Sequence, residues 1–539
     1  MSPLFYLMAV ILAGWLCHDL LQKKHALLRN FPIIGHFRYW LESLGPELRQ
    51  YIVASNTEER PFDRDQRRWI YASSKKSNDY FGFGTDNEVE LQTNYLIIKH
   101  AAFPLSEALP GEPNYDSTFQ IPCAKVLGGF RKRKHAFRPA SIVNTSGMSF
   151  GSLSTRAVEA INRGVRLANC LQNTGEGGLA RYHLNGGDLV WQIGTGYFGC
   201  RDASGRFDKA RFLDQLGKFP IKTIEIKLSQ GAKPGLGGVL PARKITPEIA
   251  AIRGIPMDRD CISPAGHSAF RDADSLLDFV EDLATTTGLP VGIKSAIGET
   301  TFWTKLAHLI ATTGRAVDFI TVDGGEGGTG AAPLVFTDHV GFPFKMAFAR
   351  VFREFALEQL THKIVFIGSG KLGFPQQSLF AFALGCDMIN IGREAMLAIG
   401  CIQAMKCQTN FCPTGVATQS AWLMHGLDPK LKAARLANYI TTLRKDILNV
   451  SRACGVSHPS LITGKNLEII DGQFRGKTVL EIFDYDPTWG VPSAEDQRQI
   501  EALMAAPSTT GKPSQAPCLK GTPPVSHQAH DTVTPSNRE

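Results

Sequence analysis

From about residue 140 the chain repeats one scheme, in which a short run of β-branched or apolar residues stops at a glycine or polar residue and gives way to a helical pattern. Eight runs follow it, at 141–146, 167–173, 189–193, 223–228, 290–295, 319–323, 364–368 and 388–392. Strands that are apolar on both faces must be covered on both faces, and helices between them make neighbouring strands parallel. A doubly wound sheet or a closed barrel satisfies this, and eight units in one span favour the barrel. The expected fold class is therefore α/β, a (β/α)8 TIM barrel over 139–465. "CISP" at 261–264 reads as a loop. Residues 25–138 read as a small leading region of mixed structure and 466–500 as a C-terminal extension. The segment 501–539 is rich in Pro, Ser and Thr and reads as a disordered tail.

Composition removes several classes. At 43% hydrophobic and 20% charged residues the chain is neither wholly disordered nor a polytopic membrane protein. Eleven irregularly spaced cysteines do not form a disulfide framework and fit a reducing compartment, most of them as small buried hydrophobes. The net charge of +8 is concentrated at Arg131–Lys134 and Arg138. That run is a solvated face or a docking patch for an acidic protein or anionic lipid; no nucleic-acid motif accompanies it, so no nucleic-acid partner is expected. Residues 1–24 hold an apolar run at 3–17, followed by Lys23, Lys24 and Arg29. Positive charge after the run opposes a cleaved signal and places the remainder in the cytoplasm, as for a single-pass anchor in the cell membrane. The run falls short of about twenty residues, so a monotopic or buried helix stays open.

Barrel enzymes carry their chemistry just beyond the strands' C-terminal ends. Those positions read "NTSGMSFGS", "NTGEGG", "KLSQGAKPGLGG", Lys294, "DGGEGGTG", "GSGKLG" and "GRE". The last two follow the seventh and eighth strands, where barrels hold a phosphate on backbone amides, so a cofactor with one phosphate fits. Gly325, Gly327 and Gly330 match GxGxxG, but Pro333 stands where the helix should be starting, and we discount a dinucleotide site. Cys401, Cys407 and Cys412 are spaced C-x5-C-x4-C-P. A zinc site or a four-iron cluster wants a fourth ligand. A three-iron cluster needs one thiolate per iron, so three suffice; three unrelated buried thiols remain the alternative.

The segments "GMSFGSLS", "NTGEGG", "EIKLSQGAKPGLGG", "ISP", "DGGEGGTGAAPL" and "CIQAMKCQTNFCPTGVATQ", in this order over about 140–460, resemble the central and synthase portion of glutamate synthases. These are iron-sulfur flavoproteins with an FMN-bearing barrel. "LLRNFPIIGHFRYWLES" behind the apolar stretch resembles the stand-alone, membrane-anchored, FMN-binding members. The resemblance implies a 3Fe-4S cluster on Cys401, Cys407 and Cys412, and reductive amination of 2-oxoglutarate to glutamate by hydride from reduced FMN. It implies Gln230, Lys233 and Arg253 as substrate-binding residues, and Glu176 with Lys233 as catalytic residues. It implies FMN contacts at Ser149, Lys294, Asp323, Gly368, Gly370 and Gly392. The first cysteine is Cys17 inside the apolar stretch, so no glutaminase is expected, and ammonia would come free or from a separate amidotransferase subunit. No NADPH-binding unit is evident, so electrons would come from a ferredoxin-like donor. N-methylglutamate synthesis on the same barrel, or a non-catalytic membrane-bound electron-transfer subunit, are the alternatives.

Overall fold

The computed structural model describes residues 3–45, 59–77, 82, 84–85, 87–112, 115–471, 473 and 475–505. Eight parallel strands close into a barrel in chain order: β1 Val143–Thr145, β2 Leu171–Asn173, β3 Asp188–Ile193, β4 Ile221–Lys227, β5 Val291–Ser295, β6 Phe319–Asp323, β7 Val365–Ser369 and β8 Met388–Ile391. Closure is made where Ile389 of β8 pairs with Val143 of β1. The expected barrel is thus observed, with two local differences. The run at 167–173 begins too early, because Leu167 and Ala168 end the helix Thr155–Ala168 and Asn169 caps it at φ +50°. "CISP" contains a two-residue strand, Cys261–Ile262, paired antiparallel with Val239–Leu240 inside the long β4–β5 connection.

The barrel interior is polar at its centre. Glu225 of β4, buried, accepts hydrogen bonds from Asn173, Gln192 and Thr321, each at 2.7 Å. Below it, Leu127 and Cys123 pack against Phe319, Val365, Ile367 and Met388 and stopper the barrel's N-terminal end. Three of the five basic residues in the run belong to this stopper, while Lys132 and Lys134 stay exposed. Arg133 bonds both Glu281 and Asp318, Arg131 bonds Glu281, and Arg138 donates to the Cys123 carbonyl. Those residues therefore close the fold, although their spacing looked like an open charged face.

Outside the barrel, Tyr95–Ile98 pairs antiparallel with Leu467–Ile470, joining leading and trailing segments. The helix Pro3–Leu21 is long and apolar enough to cross a membrane and almost wholly exposed. Its last turn is nevertheless tied down: Asp19, fully buried, accepts from the Ile33 amide at 2.8 Å and bonds His36 at 2.8 Å. The C-terminal helix Ala494–Ala505 includes the first five residues of the expected tail; its remainder, 506–539, lies outside the described residues.

Candidate active site at the barrel mouth

The turn after β2 is shaped by glycine. Gly175 has φ +67°, and a side chain on it would begin 2.5 Å from the Ser149 amide, so only glycine lets the 175–177 turn lie against the β1 loop. Glu176 then fills space left by two further glycines, since a first side-chain carbon on Gly194 or Gly238 would each fall 2.3 Å from a Glu176 carboxylate oxygen. Lys227, the last residue of β4, donates to Glu176 Oε1 at 2.9 Å and also to Gln230. Burial opposes the charged form of Glu176, but Lys227, by charge and hydrogen bond, with Arg253 and Lys233 further off, holds the carboxyl below its ordinary value. Lys233 is buried and donates to the Ala331 carbonyl at 2.9 Å. Burial and the like charge of Lys227 bring it down to about 8, against the pull of Glu176.

Arg253 lies beneath this group. Its Nη2 donates to the Phe150 carbonyl at 3.0 Å, its guanidinium covers the Phe198 ring at 5.0 Å, and its buried Nε has no protein partner. His267 closes the far side, bonding Tyr197 and the Lys227 carbonyl at 2.9 Å each; burial holds it neutral at about 4.

A second charged pair stands across the mouth. Lys294 of β5 and Asp323 of β6 are 3.3 Å apart and buried, Lys294 also reaches Ser146 at 3.4 Å, and the Gly231 amide donates to Asp323 at 3.0 Å. Burial would neutralise both. The attraction of Asp323, Glu225 and Glu176 overrides it and raises Lys294, while Lys294 and the Gly231 amide lower Asp323. Gly370 (φ +130°) and Gly392 lie at the rim beyond β7 and β8, and a side chain on Gly392 would meet nothing nearer than Ser146 at 3.6 Å. Gly368 lies inside β7, where the missing side chain makes room for Leu372 and Phe344. Lys371 and Arg393 flank this rim, both over the Phe62 ring at 5.1 Å. The GxGxxG-like run leads into no helix directly; Leu334–His339 starts only after Pro333.

The helix Arg393–Ala398 after β8 delivers the thiol loop. Left-handed residues at Gln403 (φ 56°), Met405 (φ 53°) and Asn410 (φ 66°) coil it back on itself. The Gln403 amide points at Cys401 Sγ, 3.4 Å away. Burial pushes Cys401 up to about 12 against that amide, with the thiols of Cys412 and Cys407 adding to the rise, so the three sulfurs lie within each other's field. Lys244 ties the loop to the barrel by donating to the carbonyls of Ser152 (2.7 Å) and Cys407 (3.1 Å), and Gln419 donates to those of Gly151 (3.0 Å) and Leu153 (2.9 Å). From outside, Tyr71 donates to the Cys401 carbonyl at 2.8 Å and Asn30 to the Pro413 carbonyl at 2.9 Å.

Of the residues singled out in the sequence, Glu176, Gln230 and Lys233 gather around Lys227, Lys294 meets Asp323, and the three cysteines share one loop stitched to the Ser149 segment. Lys227, Glu225, Lys244 and His267 went unnoticed. Lys227 and Glu225 had a signal, being charged side chains that alternate with the isoleucines of β4.

The fold and mouth define an α/β barrel with two buried ion pairs and a three-thiol loop on its rim. The family described as "Conserved region in glutamate synthase" matches residues 121–457, and the chain belongs to that family. It is 36% identical over 480 residues to the glutamate synthase large subunit-like protein YerD of Bacillus subtilis, covering 84% of this chain and 91% of that one. It is 38% identical over 322 residues to the archaeal glutamate synthase (NADPH) of Methanocaldococcus jannaschii, covering 59% of each. The ferredoxin-dependent glutamate synthase of Cyanidium caldarium is 32% identical over 361 residues, of which 62% of this chain and 22% of the relative are covered.

Proposed function

We propose that this chain is a glutamate synthase-type oxidoreductase that reductively aminates 2-oxoglutarate to glutamate, using FMN and a 3Fe-4S cluster, with ammonia and electrons supplied from outside the chain. The observation that carries this reading is the shared hydrogen bonding of thiol loop and β1 loop through Lys244 and Gln419. It holds the cysteines against the mouth that would take the flavin.

The residues present fit both groups. The three thiols share one loop and lie within each other's field, so each would bind a different iron of a three-iron cluster. An amide aimed at sulfur and the Lys244 ammonium beside Cys407 and Cys412 offset its negative charge. For FMN, Ser149, Lys294 and Asp323 line the mouth, and Gly370 and Gly392 with Lys371 and Arg393 would receive the phosphate; Gly368 serves this site through packing. FMN, when bound, supplies the hydride, and the cluster relays single electrons to it.

The chain's own residues do the rest. Lys233 and Gln230 hold the carboxylates of 2-oxoglutarate, and Lys294 keeps a positive charge beside the flavin. Glu176, kept ionised by Lys227, accepts a proton from the entering amine. Arg253, the expected carboxylate fork, acts in this reading by pinning the β1 loop and adding positive field at Glu176. The working unit is 139–465. Pro3–Leu21 anchors it in the cell membrane with the barrel cytoplasmic, a reading supported by the Asp19 contacts, which cleavage would break. A ferredoxin-like donor and a separate amidotransferase subunit complete the system.

Anaerobic purification with FMN and iron quantification and EPR of the oxidised protein tests this. Cys407→Ser should abolish the cluster signal and retain FMN. A colourless protein, or a signal that survives the substitution, refutes the assignment.

A further inference from the structure

The helix Gly35–Ser43 is inside out. Ile34, just ahead of it, and Phe37, Trp40 and Leu41 on it are 79%, 60%, 56% and 41% exposed, and Phe31 before it is 38% exposed. Their spacing puts these side chains on one face, with Phe37 and Trp40 stacked at 5.8 Å. The opposite face turns inward: His36 bonds the buried Asp19, and Tyr39 meets the His25 ring at 4.8 Å. A helix in water buries its apolar side. This one buries its polar side, and it does so directly beside the exposed apolar helix Pro3–Leu21, to which His36 also ties it through Trp15 at 3.0 Å.

The cations nearest this helix stand behind it: Lys24, Lys75, Lys432 and Arg435 gather around His25, which meets Tyr39 on the inward face. An exposed apolar strip with two aromatic side chains, continuous with a membrane-length helix, matches the headgroup layer of a bilayer.

We propose that Phe31, Ile34, Phe37, Trp40 and Leu41 form a second membrane contact that lies in the headgroup layer. It rests on the anchor reading above and adds a function to it. Because Asn30 of the intervening helix Ala26–Asn30 bonds the carbonyls of Pro413 and Leu423 at 2.9 and 2.8 Å, this contact fixes the thiol loop at the bilayer surface.

The test uses the full chain in vesicles carrying a diazirine phospholipid, with adducts mapped by mass spectrometry. Adducts on 31–41 as well as 3–21 are expected. In Phe37→Ser/Trp40→Ser, adducts on 31–41 should fall several-fold while those on 3–21 persist. Adducts on 3–21 alone leave the anchor and overturn the second contact; adducts on neither segment overturn both.

Discussion

Replacing Lys227 by methionine keeps the length of the side chain and removes the ammonium that Glu176 meets at 2.9 Å. Both side chains are mostly buried, at 10% and 14% exposure, so water replaces little of the lost interaction. A hydrogen bond between charged groups in such a place contributes about 1.5–3 kcal/mol. At about 1.36 kcal/mol per pKa unit, the Glu176 carboxyl should rise by about one to two units. If Glu176 must be ionised to take the amine's proton, the acid limb of kcat/KM for 2-oxoglutarate, measured at fixed free ammonia, moves up by the same amount. Glu176→Gln should remove the limb altogether. The stability change has the opposite pH sense. Because the folded-state pKa of Glu176 is lowered, its contribution is present above the unfolded value near 4.5 and is lost as pH falls through the folded value. The melting-temperature deficit of Lys227→Met should therefore be largest near neutrality and shrink in acid. An acid limb that stays put in both variants would refute the role given to Glu176, since the ion pair is the main support of its charge.

Gly238→Ala places a methyl carbon 2.3 Å from the Glu176 carboxylate, so Glu176 must swing away; kcat should fall at least tenfold while circular dichroism is unchanged. Arg133→Ala strands Asp318, which burial already pushes to about 6, with the Val291 amide as its remaining partner outside the lost guanidinium. Breaking a buried pair in this way costs about 3–5 kcal/mol, and the loss measured by urea denaturation should be smaller at pH 5 than at pH 8, because a protonated Asp318 needs no cation. Asp19→Ala leaves the Ile33 amide and His36 without their acceptor, costing about 1–3 kcal/mol locally, and limited proteolysis at 22–31 should speed up several-fold.

The barrel was legible because most of its strands fall in short apolar or β-branched runs separated by helical patterns. The helix–strand junction near Leu167 was not, since the apolar residues that end Thr155–Ala168 and those that open β2 form one stretch divided by Asn169 alone. Pairings distant in sequence were hidden as well. Arg133 finds Glu281 and Asp318 far along the chain, so the basic run looked solvated. The family motifs drew attention to Glu176, Lys233 and the thiols. Lys227, the partner that lowers Glu176, lies in the same quoted motif as Lys233 but was not singled out. Arg253 shows the converse: its type suited a carboxylate fork, yet the folded chain spends its Nη2 on the Phe150 carbonyl.

One continuous set of contacts joins the periphery to the chemistry. Asp19 fixes the apolar helix to His36 and Ile33, Asn30 carries that segment to Pro413 beside Cys412, Lys244 and Gln419 pass from the thiol loop to the β1 loop, and Gly175 lays that loop against Glu176. Each link is a short hydrogen bond or a packed glycine, a kind of contact that tolerates little displacement. In the proposed reading, electrons enter at the thiol loop and the amine is handled at Glu176, whose charge also reaches Lys294 of the Lys294–Asp323 pair. A loosely tethered anchor would need none of these bonds. Within the proposed reading, their presence argues that the place of the anchor and the place of electron entry are set by the same few residues.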